Sequence, residues 1–320
     1  MEFFDVTTCR SKLGEHYKRT AKGPTSVWSK TSPVDIHQIY TRLSWVKEEQ
    51  TPAGSSKSEL GHYSDMFTPN KNGDVPKRIL VQGQTGIGKS TFVKKLAVDW
   101  AEHVEKTEAK EPTSQDGRDT SQRNEDSSSG EYEDPSSDEY EDMSSDEYED
   151  TLSDEYEDTS SEDTSSDKES DKQKNSLKKF ELVVVINLKE VSKCPSLRDA
   201  VSRCNVFPDE ETALVEGLLN YIAKNQEKVL LVFDGYDEYR CGRNSDIYEI
   251  FKGKKLRNCC VLITTRISKA DELREFEDVH AEITGFSKVD RKAFMRRMLG
   301  GKAEAKELTR QLLLDRKSVV

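Results

Sequence analysis

The sequence predicts an α/β fold: a three-layer sandwich around a mostly parallel five-stranded sheet, carrying an acidic insertion. Three observations predict it. Short apolar runs alternate with amphipathic stretches. The runs are continuous, as strands covered on both faces require. One of them enters a glycine-rich turn that opens a helix.

The first run, Ile79 to Val81, leads into Gly83-Gln84-Thr85-Gly86-Ile87-Gly88-Lys89-Ser90, then Thr91 and an amphipathic helix reaching about His103. This is the G-x-x-x-x-G-K-[ST] pattern, with a strand before it and a helix after it. Glycine lets the backbone wrap closely around a phosphate, and the loop's N–H groups point inward as an anion nest. The helix N-terminus adds its positive end. Lys89 supplies a point charge to the β- and γ-phosphates, and the Ser90 hydroxyl is placed for Mg²⁺. The pattern implies a P-loop NTPase fold with ATP or ADP and Mg²⁺ as cofactors.

Next comes FELVVVINL (180–188), a strand, followed by two helices, SLRDAVSRC and DEETALVEGLLNYIAKN. The second carries apolar residues at 214, 218, 219 and 222, one helix face. EKVLLVFDGYDEY (227–239) follows, with the run Val229 to Phe233 ending in Asp234. Asp234 would hold Mg²⁺ through its water shell, and Asp237 or Glu238 would polarise a lytic water. NCCVLITTR (258–266) is a further buried strand. In P-loop ATPases with an extra strand between the two phosphate-site strands, a polar residue at this tip senses the γ-phosphate. Arg266 suits that role, because its planar fork pairs phosphate oxygens bidentately. VHAEITGF (279–286) makes a short fifth strand, and DRKAFMRRML (290–299) a last helix. The nucleotide then sits at the carboxyl ends of the strands.

Lys89 and Asp234 are 145 residues apart, far for two intervening α/β units. Between them, residues 107–176 hold 26 acidic and 6 basic side chains, a net of −20. Tyrosines recur there at 132, 140, 148 and 156, in the eight-residue unit SSDEYEDM. The unit is too short and too polar to stack around a core, so the composition predicts a disordered insertion. Removing its 70 residues leaves 75, a natural spacing. The whole chain carries −12, so the other 250 residues are mildly basic at +8. Ser137, Ser145 and Ser153, each followed by Asp-Glu, suit acid-directed kinases.

The start, MEFFDVTTCR, lacks a basic region followed by an apolar run, so no signal peptide is read there. LVVVI and VLLVF are too short to span a bilayer, so no membrane partner is expected. Six cysteines show no C-x-x-C pair and no ligand spacing with histidine, which fits free thiols in a reducing, cytoplasmic compartment. Basic charge is scattered over helices such as DRKAFMRRML, a pattern that argues against nucleic acid.

GQTGIGKST with the AVDWA helix, then LLVFDGYDEY, ITTR and EITGFS, resembles the NACHT domain of NOD-like receptors, a branch of the STAND ATPases. DIHQIYTRLSWVKEEQ (35–50) resembles the segment that precedes this domain. In the family that segment packs across the adenine, which implies base contacts for Tyr40 and Thr41. The resemblance divides the chain into an N-terminal extension (1–34), a pre-NACHT segment (35–78), a nucleotide-binding domain (79–106 and 177–299), the acidic insertion (107–176), and the start of a truncated helical domain (300–320). It implies an ATP/ADP switch in innate immune or cell-death signalling, with protein partners, self-association through this domain, and weak hydrolysis at most. Two other readings are an autonomous P-loop ATPase or kinase, and a scaffold or decoy whose acidic insertion recruits partners.

Overall fold

In a computed structural model the described residues are 4–23, 34–51, 54–70, 72–108, 176–204, 207, 212–287, 289–291 and 293–294. The acidic repeat and residues 295–320, with most of the helix expected at 290–299, lie outside them.

The described chain opens with helix α1 (Val6–Thr20), whose first turn is capped by the Asp5 carboxylate accepting from the N–H groups of Thr7 and Thr8. Strands β1 (Ser44–Thr51) and β2 (Gly54–Leu60) form an antiparallel hairpin. Strand β3 (Arg78–Gly83) leads through the phosphate loop into helix α2 (Lys89–Glu108). Then come β4 (Leu182–Asn187), α3 (Leu197–Arg203), α4 (Thr212–Lys224), β5 (Val229–Asp234), α5 (Asp246–Phe251), β6 (Cys260–Thr265) and β7 (Val279–Gly285).

The sheet order is β2-β1-β7-β3-β6-β5-β4. The five strands expected from the apolar runs are all present and pair in parallel, with β6 between β3 and β5. The strand count is corrected from five to seven, because the β1–β2 hairpin joins β7 antiparallel. Its sequences, SWVKEEQT and GSSKSEL, are too polar to read as buried strands, yet an edge hairpin needs only one face in contact.

Helices cover both faces of the sheet. Trp45 of β1 meets Phe92 of α2 edge-on, ring centroids 4.7 Å apart, so α2 lies on the face shared by Trp45, Ile283 and Gly83. Arg78 points to the other face and donates from Nε to the Phe251 carbonyl at the end of α5, 2.9 Å. Strands β3, β5 and β6 are buried along their whole length. All six cysteines are free, and burial pushes the thiols of Cys259 and Cys260 up to about 12, where they behave as small apolar groups.

Candidate functional site

The phosphate loop joins β3 to α2 in a conformation that its glycines make possible. Gly86 and Gly88 adopt φ of 78° and 111°, the left-handed region where a side chain is strained. A Cβ on Gly83 would stand 2.8 Å from the Ile87 side chain, too close to fit. Gln84, Thr85 and Gly86 are exposed, while Ile87 packs against the core. The turn is closed by the Ile87 N–H donating to the Gln84 carbonyl, 3.3 Å, and α2 begins with Phe92 N–H on Gly88, 2.8 Å. Lys89 Nζ donates to the carbonyls of Gly83 and Gln84 at 2.7 and 2.9 Å. Burial lowers its pKa, with Arg266 adding to the effect; Asp237 and Asp234 oppose it. Those four side chains therefore share one electrostatic environment.

The tips of β5 and β6 are tied by two clasps. In the first, the Thr264 hydroxyl donates to Asp234 Oδ1 at 2.6 Å and accepts the Gly235 N–H at 2.9 Å. Thr264 is fully buried, and Gly235 turns the chain at φ 87°. In the second, Asp237 accepts the Arg266 backbone N–H at 3.2 Å and pairs with its Nε at 2.6 Å. The Asp237 side chain is only 8% exposed against 46% for Arg266. Asp237 is thus committed to Arg266, whereas Glu238 reaches out to Lys189 at 3.8 Å and faces solvent. Of the two carboxylates offered for water activation, Glu238 is the accessible one.

A cleft of about 580 Å³ is lined by Ser90, Asp234 and Glu238 together with His16, Thr20 and Cys204. Ser90 and Thr91 are exposed on the first turn of α2. The two metal candidates, Ser90 and Asp234, therefore line one space.

The segment before the hairpin lies along α2. Tyr40 is half-buried beside Lys95, whose ammonium stands 5.7 Å from its ring centroid; burial and then Asp99 raise its phenol. Thr41 is buried. Arg42 Nη2 donates to the Gly61 carbonyl. The side chain that reaches the loop is Leu43, which a Cβ on Gly88 would meet at 3.4 Å. Leu43 and Thr264 were thus missed as contributors to the site. Leu43 stands within YTRL but reads as an ordinary apolar residue, and Thr264 touches a partner 30 residues away.

A parallel sheet with the phosphate loop and an acidic strand tip side by side at its carboxyl ends defines a P-loop NTPase fold. Residues 168–302 match the family model of the NACHT domain, so this part of the chain is NACHT-like. That match starts after the phosphate loop; the structure joins the two parts, since β3 is flanked by β6 and β7. A stretch of 159 residues is 28% identical to Protein NLRC5 of Ictalurus punctatus, taking in 42% of this chain and 9% of that protein. The chain thus spans a small part of the relative it matches. No helix among the described residues is long and apolar enough to cross a membrane.

Proposed function

We propose that the chain binds ATP and ADP with Mg²⁺ and acts as the nucleotide-dependent switch module of a NOD-like receptor, in the cytoplasm. The observation that carries this reading is the convergence of Lys89, Asp234, Asp237 and Arg266 on one patch at the loop mouth. The donor set fits a nucleoside polyphosphate. The loop's glycines leave no side chain between backbone and phosphate, and Lys89 would exchange two loop carbonyls for phosphate oxygens. Ser90 and Asp234 would hold Mg²⁺, which neutralises charge between the β- and γ-phosphates when bound. Arg266 would meet the γ-phosphate, and Glu238 would orient a water for slow hydrolysis. Tyr40 and Thr41 would flank the base, with Leu43 closing the loop side. The two nucleotides matter through their differential contacts in closed and open, self-associating states.

Nucleotide binding measured on the purified chain tests this. Wild type is expected to favour adenine over guanine nucleotides, and Lys89→Ala to lose at least about a hundredfold in affinity, the scale of a lost charge-assisted phosphate contact. Equal retention of ATP by both would sink the reading. Hydrolysis well above one turnover per minute would instead favour an autonomous enzyme.

A further inference from the structure

We infer that His37, Asp99 and Glu102 form a zinc site that pins the segment ahead of the hairpin to α2. Asp99 and Glu102 stand three residues apart on α2 and so share one face of it. The chain opposite makes a single helical turn, Ile36–Ile39, anchored by the buried Ile36. The Asp35 carboxylate caps that turn by accepting the His37 N–H at 2.8 Å. His37 Nε2 then stands 2.8 Å from Glu102 Oε1. One ligand atom from each of His37, Asp99 and Glu102 lies within 4.8 Å of the other two. Zinc ligands at about 2.0–2.2 Å in a tetrahedron are about 3.3–3.5 Å apart, so closing on an ion takes only small side-chain rotations.

The donor set and its surroundings suit a divalent ion better than a plain ion pair. An imidazole nitrogen and two carboxylates are ligands that zinc takes, and two negative charges match its two positive ones. Asp99 is 8% exposed, and its carboxylate is already oriented: the Tyr63 hydroxyl donates to Oδ2 at 2.8 Å, and Lys95 pairs with Oδ1. Outer partners of this kind hold ligating carboxylates in place, and each oxygen keeps a further lone pair for the metal. Lys95 takes up part of the charge on Asp99, while Asp35, which lines the same space as His37 and Glu102, replaces it. That space, a cavity of about 380 Å³, has room for the water that completes the coordination.

The site is separate from the residues offered for Mg²⁺. Glu102 lies twelve residues along α2 from Ser90, about 18 Å at 1.5 Å per residue. His37 stands three residues ahead of Tyr40, whose ring lies beside Lys95, and the chain then reaches Leu43 against the phosphate loop. A bound ion thus fastens this segment to the same helix that carries the phosphate loop at its start.

The test titrates zinc into the full, nucleotide-free chain in excess Mg²⁺, which competes for carboxylates elsewhere in the chain. Wild type is expected to bind about one zinc per chain at roughly micromolar concentration, and to melt higher with zinc than without it. His37→Ala, at an exposed position, is expected to lose at least about tenfold in affinity together with the zinc-dependent rise in the melt. Glu102→Gln keeps a hydrogen bond to the imidazole. It should melt like wild type without zinc, yet bind the ion at least about tenfold more weakly. Cobalt in place of zinc should give the intense visible absorption of a tetrahedral site in wild type and not in the variants. Equal zinc affinity in wild type and both variants, or no uptake by wild type at micromolar zinc, overturns the site.

Discussion

The two ends of the parallel sheet use polar side chains in opposite ways. At the amino end, Arg78 is 5% exposed and its guanidinium is spent wholly on carbonyls: Phe251, Lys77 and Cys259 within 3.0 Å, and Leu256 and Arg257 at 3.3 and 3.4 Å. Asp278 Oδ2 fixes the same strand start by accepting the N–H groups of Lys77 and Arg78. At the carboxyl end, Lys89 also holds two carbonyls, yet Ser90 and Arg266 remain accessible beside it. Satisfied and enclosed groups make architecture. Satisfied but reachable groups can trade partners, and that difference separates a joint from a binding site.

Substitutions at the two ends should therefore separate stability from binding. The largest effect on stability is expected from Arg78→Met, which orphans several buried carbonyls and should cost about 3 kcal/mol or more. In a domain of this size that is a drop of roughly 6–12 °C in the melting midpoint, read by calorimetry. Lys89→Ala, at the other end, should leave the nucleotide-free melt within about 1 kcal/mol of wild type while nucleotide binding collapses. A shared loss of stability would erase the contrast.

Thr264→Val tests the first clasp. Its loss should weaken nucleotide binding in Mg²⁺ by about tenfold while leaving binding in EDTA unchanged, and Thr264→Ser should restore it. A parallel loss with and without Mg²⁺ would make Thr264 a packing residue only. Asp237→Asn should release Arg266 and raise the preference for ATP over ADP by about threefold, measured by competition. A smaller effect is expected at Asp246, the first residue of α5, which accepts the Leu197 N–H at the start of α3. Burial alone would raise its pKa, but the Lys255 ammonium and the Leu197 N–H outweigh burial and hold it below the usual carboxylate value. A depressed carboxylate stabilises the fold above its unfolded pKa of about 4. That contribution fades as pH falls through the folded value. Asp246→Asn should flatten this part of an acid titration followed by circular dichroism.

What could be read from the sequence follows the same division. The five parallel strands announced themselves because burial on both faces leaves continuous apolar runs, from Ile79 to Val81 through Val229 to Phe233. The loop was legible because its pattern is local, and Asp234 because it ends the apolar run Val229 to Phe233. The hairpin was not, since only Trp45, Val46 and Leu60 are apolar among its paired residues and half-exposed edge strands need few such residues. The clasps were not legible either. In the sequence Asp237 and Glu238 read alike, because the ion pair of Asp237 with Arg266 depends on β6 lying beside β5. The +8 outside the acidic segment pointed to no single surface, and Arg78 shows one use of it, buried beneath carbonyls.

The position of β3 has a consequence for how the protein is made. It is the middle strand of the seven, and both neighbours, β6 and β7, are encoded after the acidic segment. A ribosome adding about 5–20 residues per second needs roughly 9–35 s to go from Gly83 to Cys260. Through that interval the apolar edge Ile79-Leu80-Val81 has been synthesised but has no strand to pair with. The 70 residues of the acidic segment supply a large part of the wait, so their number helps set how long the nascent chain must be kept from aggregating before the central strand is enclosed.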